Sequence, residues 1–288
     1  MQRIGIHLPM GKGLEKVPAR ARQLGCESFQ IFSRNPRSWK ARQLDEKTVT
    51  TFKEHRLKEG LRPLAVHVNY LINLSTPQEE NYLKSCRALE EDLERAGQLG
   101  AEFLVMHPGS HLGSGLEKGI ERLTGALADV LFRVDNEVGL LLENVSGAGT
   151  EVGNKLSSLG QVIKDLDDGR LGICLDTAHA FSAGYDLTSS HQLNKMLEEI
   201  DESMGLERLQ LIHANDSKYE LGSGGDRHQH IGEGYLGEEA FLLLLGHPQL
   251  SEVPFILETP QKEEGDELKN INRLRELQQQ ALGAGEKG

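Results

Sequence analysis

Eight times along the 288 residues, a short run of apolar and β-branched side chains gives way to a longer segment of helical period. The runs are RIGIHL (3–8), SFQIF (28–32), LAVHVN (64–69), EFLVMH (102–107), GLLLEN (139–144), LGICLD (171–176), LQLIHA (209–214) and PFILET (254–259). Helical segments begin near Leu14 and recur through LDEKTVTTFKEHRLKEG (44–60) and PQEENYLKSCRALEEDLERAGQLG (77–100), and so on after each run. Strands separated by helices pair in parallel through right-handed crossovers. Eight strand–helix units with no Pro-, Gly- or Ser-rich boundary predict one α/β domain over residues 1–288, a single (β/α)8 TIM barrel with its active site at the C-terminal ends of the strands. An open doubly wound sheet shares the alternation, because periodicity does not show closure. The last residues, GAGEKG (283–288), are expected to fray.

Charge and cysteine usage narrow the class. No apolar run approaches the ~18 to 20 residues of a membrane-spanning helix, and MQRIGIHLPMGKG shows no apolar core followed by a small-residue cleavage site. A cytoplasmic protein without membrane contact is expected. Cys26, Cys86 and Cys174 are far apart among apolar neighbours and form no metal knuckle or disulfide framework. The net charge of −12 argues, taken alone, against a nucleic-acid partner. Much of the acid lies in LEEDLER (89–95), KMLEEIDES (195–203) and QKEEGDEL (261–268), segments that a barrel places in its outer helical ring.

The last residue of each strand, from the third onward, is a metal-ligand type. These are His67, His107, Glu143, Asp176, His213 and Glu258. Carboxylates converging at one barrel mouth repel one another unless cations intervene. His179 follows Asp176 in DTAH, and the glycine-rich stretch HANDSKYELGSGGDRHQHIGEG (213–234) adds Asp226 and His228. That stretch has almost nothing apolar to bury, so metal coordination is what would order it. Five imidazoles and four carboxylates exceed the needs of one tetrahedral zinc and imply more than one ion, Zn2+ by ligand type, with Mn2+ or Fe2+ as substitutes. After the second strand, SRNPRSWKAR (33–42) carries Arg34, Arg37, Lys40 and Arg42 with Trp39 and no acid. A basic loop on the rim of a polymetal site reads as a phosphate contact.

The motifs HVNYLINL, HPGSHLG, ENVSGAG, DTAHAFSAGYD, HANDSK and DRHQHIGEG, in this order, make the whole chain resemble the endonuclease IV (deoxyribonuclease IV) family, the family 2 apurinic/apyrimidinic endonucleases. The resemblance implies the same barrel and three Zn2+ per chain. His67, His107 and Glu143 would hold the first ion, bridging Glu143 with Asp176, His213 and Glu258 the second, and His179, Asp226 and His228 the third. It also implies hydrolysis of damaged double-stranded DNA on the 5′ side of an abasic site, leaving a 3′-hydroxyl and a 5′-deoxyribose phosphate. The nucleophile would be a water shared by paired ions, with a pKa lowered to near neutrality. Glu143 and Glu258 are then the catalytic candidates, Glu258 positioning or deprotonating that water. Arg37 and Tyr70 would enter the DNA and help extrude the abasic nucleotide, whose lost stacking lowers the cost of flipping. Lys218, Asn215 and Arg227 join Arg34 and Trp39 as further DNA contacts. A monomer without an obligatory protein partner, working in the cytoplasm at the nucleoid, completes the expectation.

Two other classes compete. A sugar isomerase or epimerase of the xylose-isomerase-like barrel class needs one ion on a quartet such as Glu143, Asp176, His213 and Glu258, but has no use for His67, His107, His179, His228 or the basic loop. A non-catalytic nucleic-acid or metal-storage protein would not spread ligands over six strand ends, and a binding module would favour a broad basic surface.

Overall fold

The computed structural model describes residues 1–11 and 13–285. Seven strands come first: β1 (Ile4–His7), β2 (Ser28–Phe32), β3 (Leu64–His67), β4 (Phe103–Met106), β5 (Gly139–Glu143), β6 (Leu171–Asp176) and β7 (Leu209–His213). A short antiparallel ribbon, β8 (Asp216–Ser217) with β9 (His228–Gln229), and the last strand, β10 (Phe255–Leu257), follow. The helices are α1 (Val17–Gln23), α2 (Glu46–Lys58), α3 (Glu79–Leu99), α4 (Leu116–Arg133), α5 (Leu156–Leu166), α6 (Thr177–Ser182), α7 (Ser190–Met204), α8 (Gly237–Gly246) and α9 (Asp266–Gly285). Parallel pairing runs β1-β10-β7-β6-β5-β4-β3-β2 and closes, with Ile4 opposite Phe255 at the seam, so the sheet is a (β/α)8 TIM barrel and not an open sheet. No helix among the described residues is long and apolar enough to cross a membrane.

Each barrel strand alternates its side chains between two environments, as period two requires. One set, such as Ile4 and Ile6 of β1 or Leu140 and Leu142 of β5, packs under the helices in the main core. The other set points inward, where Ala65, Val105, Leu141, Cys174, Leu211 and Ile256 form a small, wholly buried plug. The barrel is narrow at this depth. A Cβ on Gly5 would stand 2.2 Å from the Ser28 carbonyl oxygen, so β1 contributes glycine there.

Three details differ from the sequence reading. β4 and β10 stop at Met106 and Leu257, leaving His107 and Glu258 as the first residues beyond them. An extra helix, α6, starts directly at the end of β6, because the Asp176 side chain caps it by accepting from the His179 amide at 2.8 Å. Helix α9 runs through Gly285, so it takes in the first residues of the tail expected to fray from residue 283, while residues 286–288 lie outside the described part of the chain.

Candidate metal centre

Two residues beyond the inner plug, period two returns each strand to its inward face. Counting on from Ala65, Val105, Leu141, Cys174, Leu211 and Ile256 gives His67, His107, Glu143, Asp176, His213 and Glu258. The same count from Gly5 and Ser28 gives His7 and Gln30. All eight barrel strands therefore send a polar side chain inward near their C-terminal ends, and those of His7, His67, His107 and Glu258 line a cavity of about 590 Å³. Glu143, Asp176 and His213 have no exposed surface, and Asp176 and His213 are register partners on β6 and β7.

Hydrogen bonds behind the histidines decide which ring nitrogen faces the cavity. The Nδ1 atoms of His67, His179 and His228 lie 2.8, 3.0 and 3.1 Å from the carbonyl oxygens of Val68, Asn144 and Glu258. A carbonyl can only accept, so each Nδ1 carries the hydrogen and each Nε2 lone pair is aimed inward. His213 is reversed. Gln30 donates its amide to Glu258 Oε1 at 2.6 Å, which turns its own oxygen to His213 Nε2 at 2.9 Å and leaves the Nδ1 lone pair inward.

These lone pairs face carboxylate oxygens. Glu143 Oε2 is 3.1 Å from His67 Nε2 and 3.2 Å from His107 Nε2. Its other oxygen, Oε1, is 3.1 Å from His213 Nδ1, which also stands 3.2 Å from Glu258 Oε2. Opposed acceptors at such distances are reconciled by a cation between them or by a proton on the imidazole. Ligand atoms of His67, His107 and Glu143 lie within 4.8 Å of one another, and so do those of Glu143, Asp176, His213 and Glu258. Glu143 belongs to both groups through different oxygens, the position of a bridging carboxylate.

The third expected trio forms less tightly. Asp176, His179 and His228 fall within 4.8 Å of one another, whereas Asp226 reaches His179 Nε2 at 3.3 Å and His228 Nε2 at 4.0 Å from a more exposed ribbon loop. His228 Nε2 is buried without a hydrogen-bond partner among the described residues. An aimed, orphaned imidazole nitrogen beside two carboxylates fits a metal ligand.

Where no cation sits between them, protons fill the gaps. Burial pulls His179 down, but Asp176, Asp226 and Glu143 outweigh it and carry the imidazole well above its usual range. His213 likewise rises against burial, through Cys174, Glu258 and Glu143. Burial pushes Glu143 up, yet His213, His107 and His179 hold it well below the usual carboxylate range. Asp226 falls to about 2, chiefly through its hydrogen bond with His179. Cys174 also lies within ligand range of Glu143 and His213, at the inner plug two residues before Asp176, and burial pushes its thiol up to about 12.

Around the rim, Arg37 and Trp39 are exposed, and the Tyr70 amide donates to the Pro36 carbonyl at 2.9 Å, which joins the two loops that carry Arg37 and Tyr70. The Tyr70 ring meets Phe32 edge-on and is 60% exposed. Lys218 and Arg227 are exposed and line the cavity. Two expected DNA contacts are corrected. Arg34 is buried, its guanidinium engaged by Asp92, Glu91 and two backbone carbonyls of helix and loop, so it cannot reach a phosphate. Asn215 is also buried, donating to Asp176 Oδ2 at 2.7 Å and accepting from the Glu258 amide at 2.8 Å, and so supports two candidate ligands instead of DNA.

The sequence reading missed His7, Gln30 and Asn144. His7 Nδ1 lies 3.1 Å from Glu258 Oε1, and Asn144 accepts from the Asp176 amide at 2.7 Å. His7 closes β1 as the ligand candidates close later strands, so the same strand-end rule applied to the first strand finds it.

Comparison with known proteins agrees with this geometry. Residues 18–279 match the family described as xylose isomerase-like TIM barrel. A probable endonuclease 4 of Halothermothrix orenii is 43% identical over 275 residues, covering 95% of this chain and 99% of that protein. The crystal structure of endonuclease IV from Thermus thermophilus superposes with a TM-score of 0.85 at 36% identity, over 96% of this chain and 99% of that one. A D-tagatose 3-epimerase-like protein shares the fold alone, with a TM-score of 0.76 at 20% identity over 98% of this chain and 99% of that one. By sequence over nearly its whole length, the chain belongs to the endonuclease 4 family of xylose isomerase-like TIM barrels.

Proposed function

We propose that this chain, as one domain, is a zinc-dependent endonuclease that hydrolyses the phosphodiester bond 5′ to abasic sites in duplex DNA. The observation that carries the reading is the arrangement of inward lone pairs from His67, His179, His213 and His228 against Glu143, Asp176, Asp226 and Glu258. His67, His107 and Glu143 would hold one Zn2+, Glu143, Asp176, His213 and Glu258 a second, and His179, Asp226 and His228 a third. Bound zinc would supply Lewis acidity toward the phosphate and a water of lowered pKa.

The chain's own residues supply the rest. Water adds across the P–O3′ bond, so phosphorus gains a hydroxyl and the 3′-oxygen leaves with a proton. Glu258, fixed by Gln30, His7 and Asn215, is the carboxylate placed to orient the attacking water and accept its proton. Exposed Arg37 and Tyr70 stand together at the rim, where they would fill the gap left by an extruded abasic nucleotide. Trp39, Lys218 and Arg227 would contact the strand and its phosphates. These contacts would account for DNA recognition by a chain of net charge −12. A monomer in the cytoplasm, at the nucleoid, is the matching assembly and location.

The quartet Glu143, Asp176, His213 and Glu258 would also serve a one-ion sugar epimerase, but that chemistry leaves His67, His107, His179 and His228 without a task. A paired assay separates the two: incision of an abasic duplex against interconversion of ketohexoses by the same metal-loaded sample. Incision without interconversion is expected, and the reverse would overturn the proposal.

A further inference from the structure

Residues 33–45, between β2 and α2, form no helix or strand. Irregular connections longer than about 12 residues are uncommon in compact domains and tend to move unless something holds them. Here the anchor is a pair of buried arginines on either side of one buried aspartate of α3. The Arg34 and Asp92 side chains are 2% and 1% exposed, with Arg34 Nε donating to Asp92 Oδ1 at 2.7 Å. The same guanidinium donates to Glu91 at 2.9 Å, to the Ala88 carbonyl at 2.9 Å and to the Trp39 carbonyl at 3.2 Å. Arg95, one turn along α3, donates to the Arg42 carbonyl at 2.9 Å and to the Ser33 carbonyl. Ser33 closes the circuit by donating to Asp92 Oδ1 at 3.0 Å.

The loop is thus held by its backbone, at the carbonyls of Ser33, Trp39 and Arg42, while Arg37, Trp39, Lys40 and Arg42 keep their side chains exposed. A rigid frame with free recognition side chains lowers the ordering cost of binding. An ammonium could not replace either guanidinium, since only the planar fork reaches several acceptors at once.

We propose that Arg34 and Arg95, joined through Asp92 and Ser33, are positioning residues that pre-order loop 33–42 for the DNA lesion and thereby set affinity for it, leaving the cleavage step untouched. The proposal rests on the reading of this loop as DNA-facing. Trp39 is the single tryptophan of the chain, so its emission reports on the loop directly.

The test compares the metal-loaded protein with its Arg34→Lys and Asp92→Asn variants, two different cuts into the same tie, so that a folding failure in one leaves the other. Three quantities are read: acrylamide quenching of Trp39 without DNA, Kd for a duplex with one abasic site, and the single-turnover cleavage rate at saturating protein. Quenching of Trp39 should rise about twofold and Kd about tenfold, with the saturating rate within about twofold of the parent. Arg37→Ala should weaken binding by a similar factor with Trp39 quenching unchanged, which separates direct contact from positioning. Unchanged quenching in the tie variants, unchanged Kd despite a loosened Trp39, or a saturating rate that falls as far as affinity would each overturn the proposal. Failure of the parent protein to bind the abasic duplex would instead remove the DNA role of the loop, and the proposal with it, before any variant is compared.

Discussion

Glu143 and His213, 70 residues apart in sequence, meet with Oε1 and Nδ1 separated by 3.1 Å on the inward faces of β5 and β7. Gln30 holds the hydrogen of His213 on the opposite nitrogen, so two acceptors confront each other in a fully buried place. A divalent cation resolves that confrontation at neutral pH. Stripping metal with a chelator should therefore lower the melting temperature by several degrees, since a ligand at a thousand times its Kd contributes ~4 kcal/mol to the native state. Calorimetry before and after chelation checks this, and equal melting temperatures would mean that no bound ion supports the fold.

The metal-free and metal-loaded forms should respond to pH in opposite directions. His179 and His213 are raised well above 6.5 in the metal-free fold, so their contribution to stability is fully present below pH 6.5 and is lost as pH rises through their folded values. Metal binding needs the same imidazoles deprotonated and is opposed by acid. Melting curves from pH 6 to pH 8.5 should show the chelated protein weakening and the zinc-loaded protein holding or gaining. Parallel trends would contradict the raised imidazoles of His179 and His213.

Glu258→Gln should cut the cleavage rate by about 10² or more while leaving affinity for an abasic duplex nearly unchanged, the pattern of a group needed mainly in the transition state. Single-turnover kinetics and equilibrium binding on one preparation distinguish the two effects. Full activity in this variant would remove Glu258 from the mechanism.

Asp216 shows how the ribbon loop is kept in place. Its buried carboxylate accepts from the amides of Ser217, Gly232, Gly234, Leu236 and Gly237, which clamps the segment that carries Asp226 and His228. Asp216→Ala would leave several buried amides unpaired and should destabilise the protein by about 3 kcal/mol. Zinc should be lost first from the site proposed for His179, Asp226 and His228. Urea unfolding and metal content together check both parts, and a variant with unaltered stability would show that other contacts hold the loop.

Fold and candidate ligands were legible for one physical reason, the strict period of a strand. It marks His67, Glu143, Asp176 and His213 as strand-terminal, and it still places His107 and Glu258 on the inward face although they stand just past β4 and β10. Gln30 was not legible, because its role is a contact with Glu258 and His213 across strands 228 and 183 residues away, and glutamine is not a metal-ligand type. Arg34 and Asn215 were misread for a related reason. A basic run beside a tryptophan and an asparagine in a polar motif look solvated, and only the partners Asp92 and Asp176, supplied by tertiary packing, show that they are buried. Asp226 is intermediate: its residue type is readable, but its distance from His228 depends on how the ribbon closes.

The most direct measurement is incubation of EDTA-free protein with an end-labelled duplex containing one synthetic abasic site, with metal content determined on the same sample. Incision 5′ to the lesion, leaving a 3′-hydroxyl, by protein that holds about three zinc ions per chain is the expected result. An uncut duplex together with a single bound divalent ion would contradict the polymetal endonuclease and return the Glu143, Asp176, His213 and Glu258 quartet to one-ion chemistry.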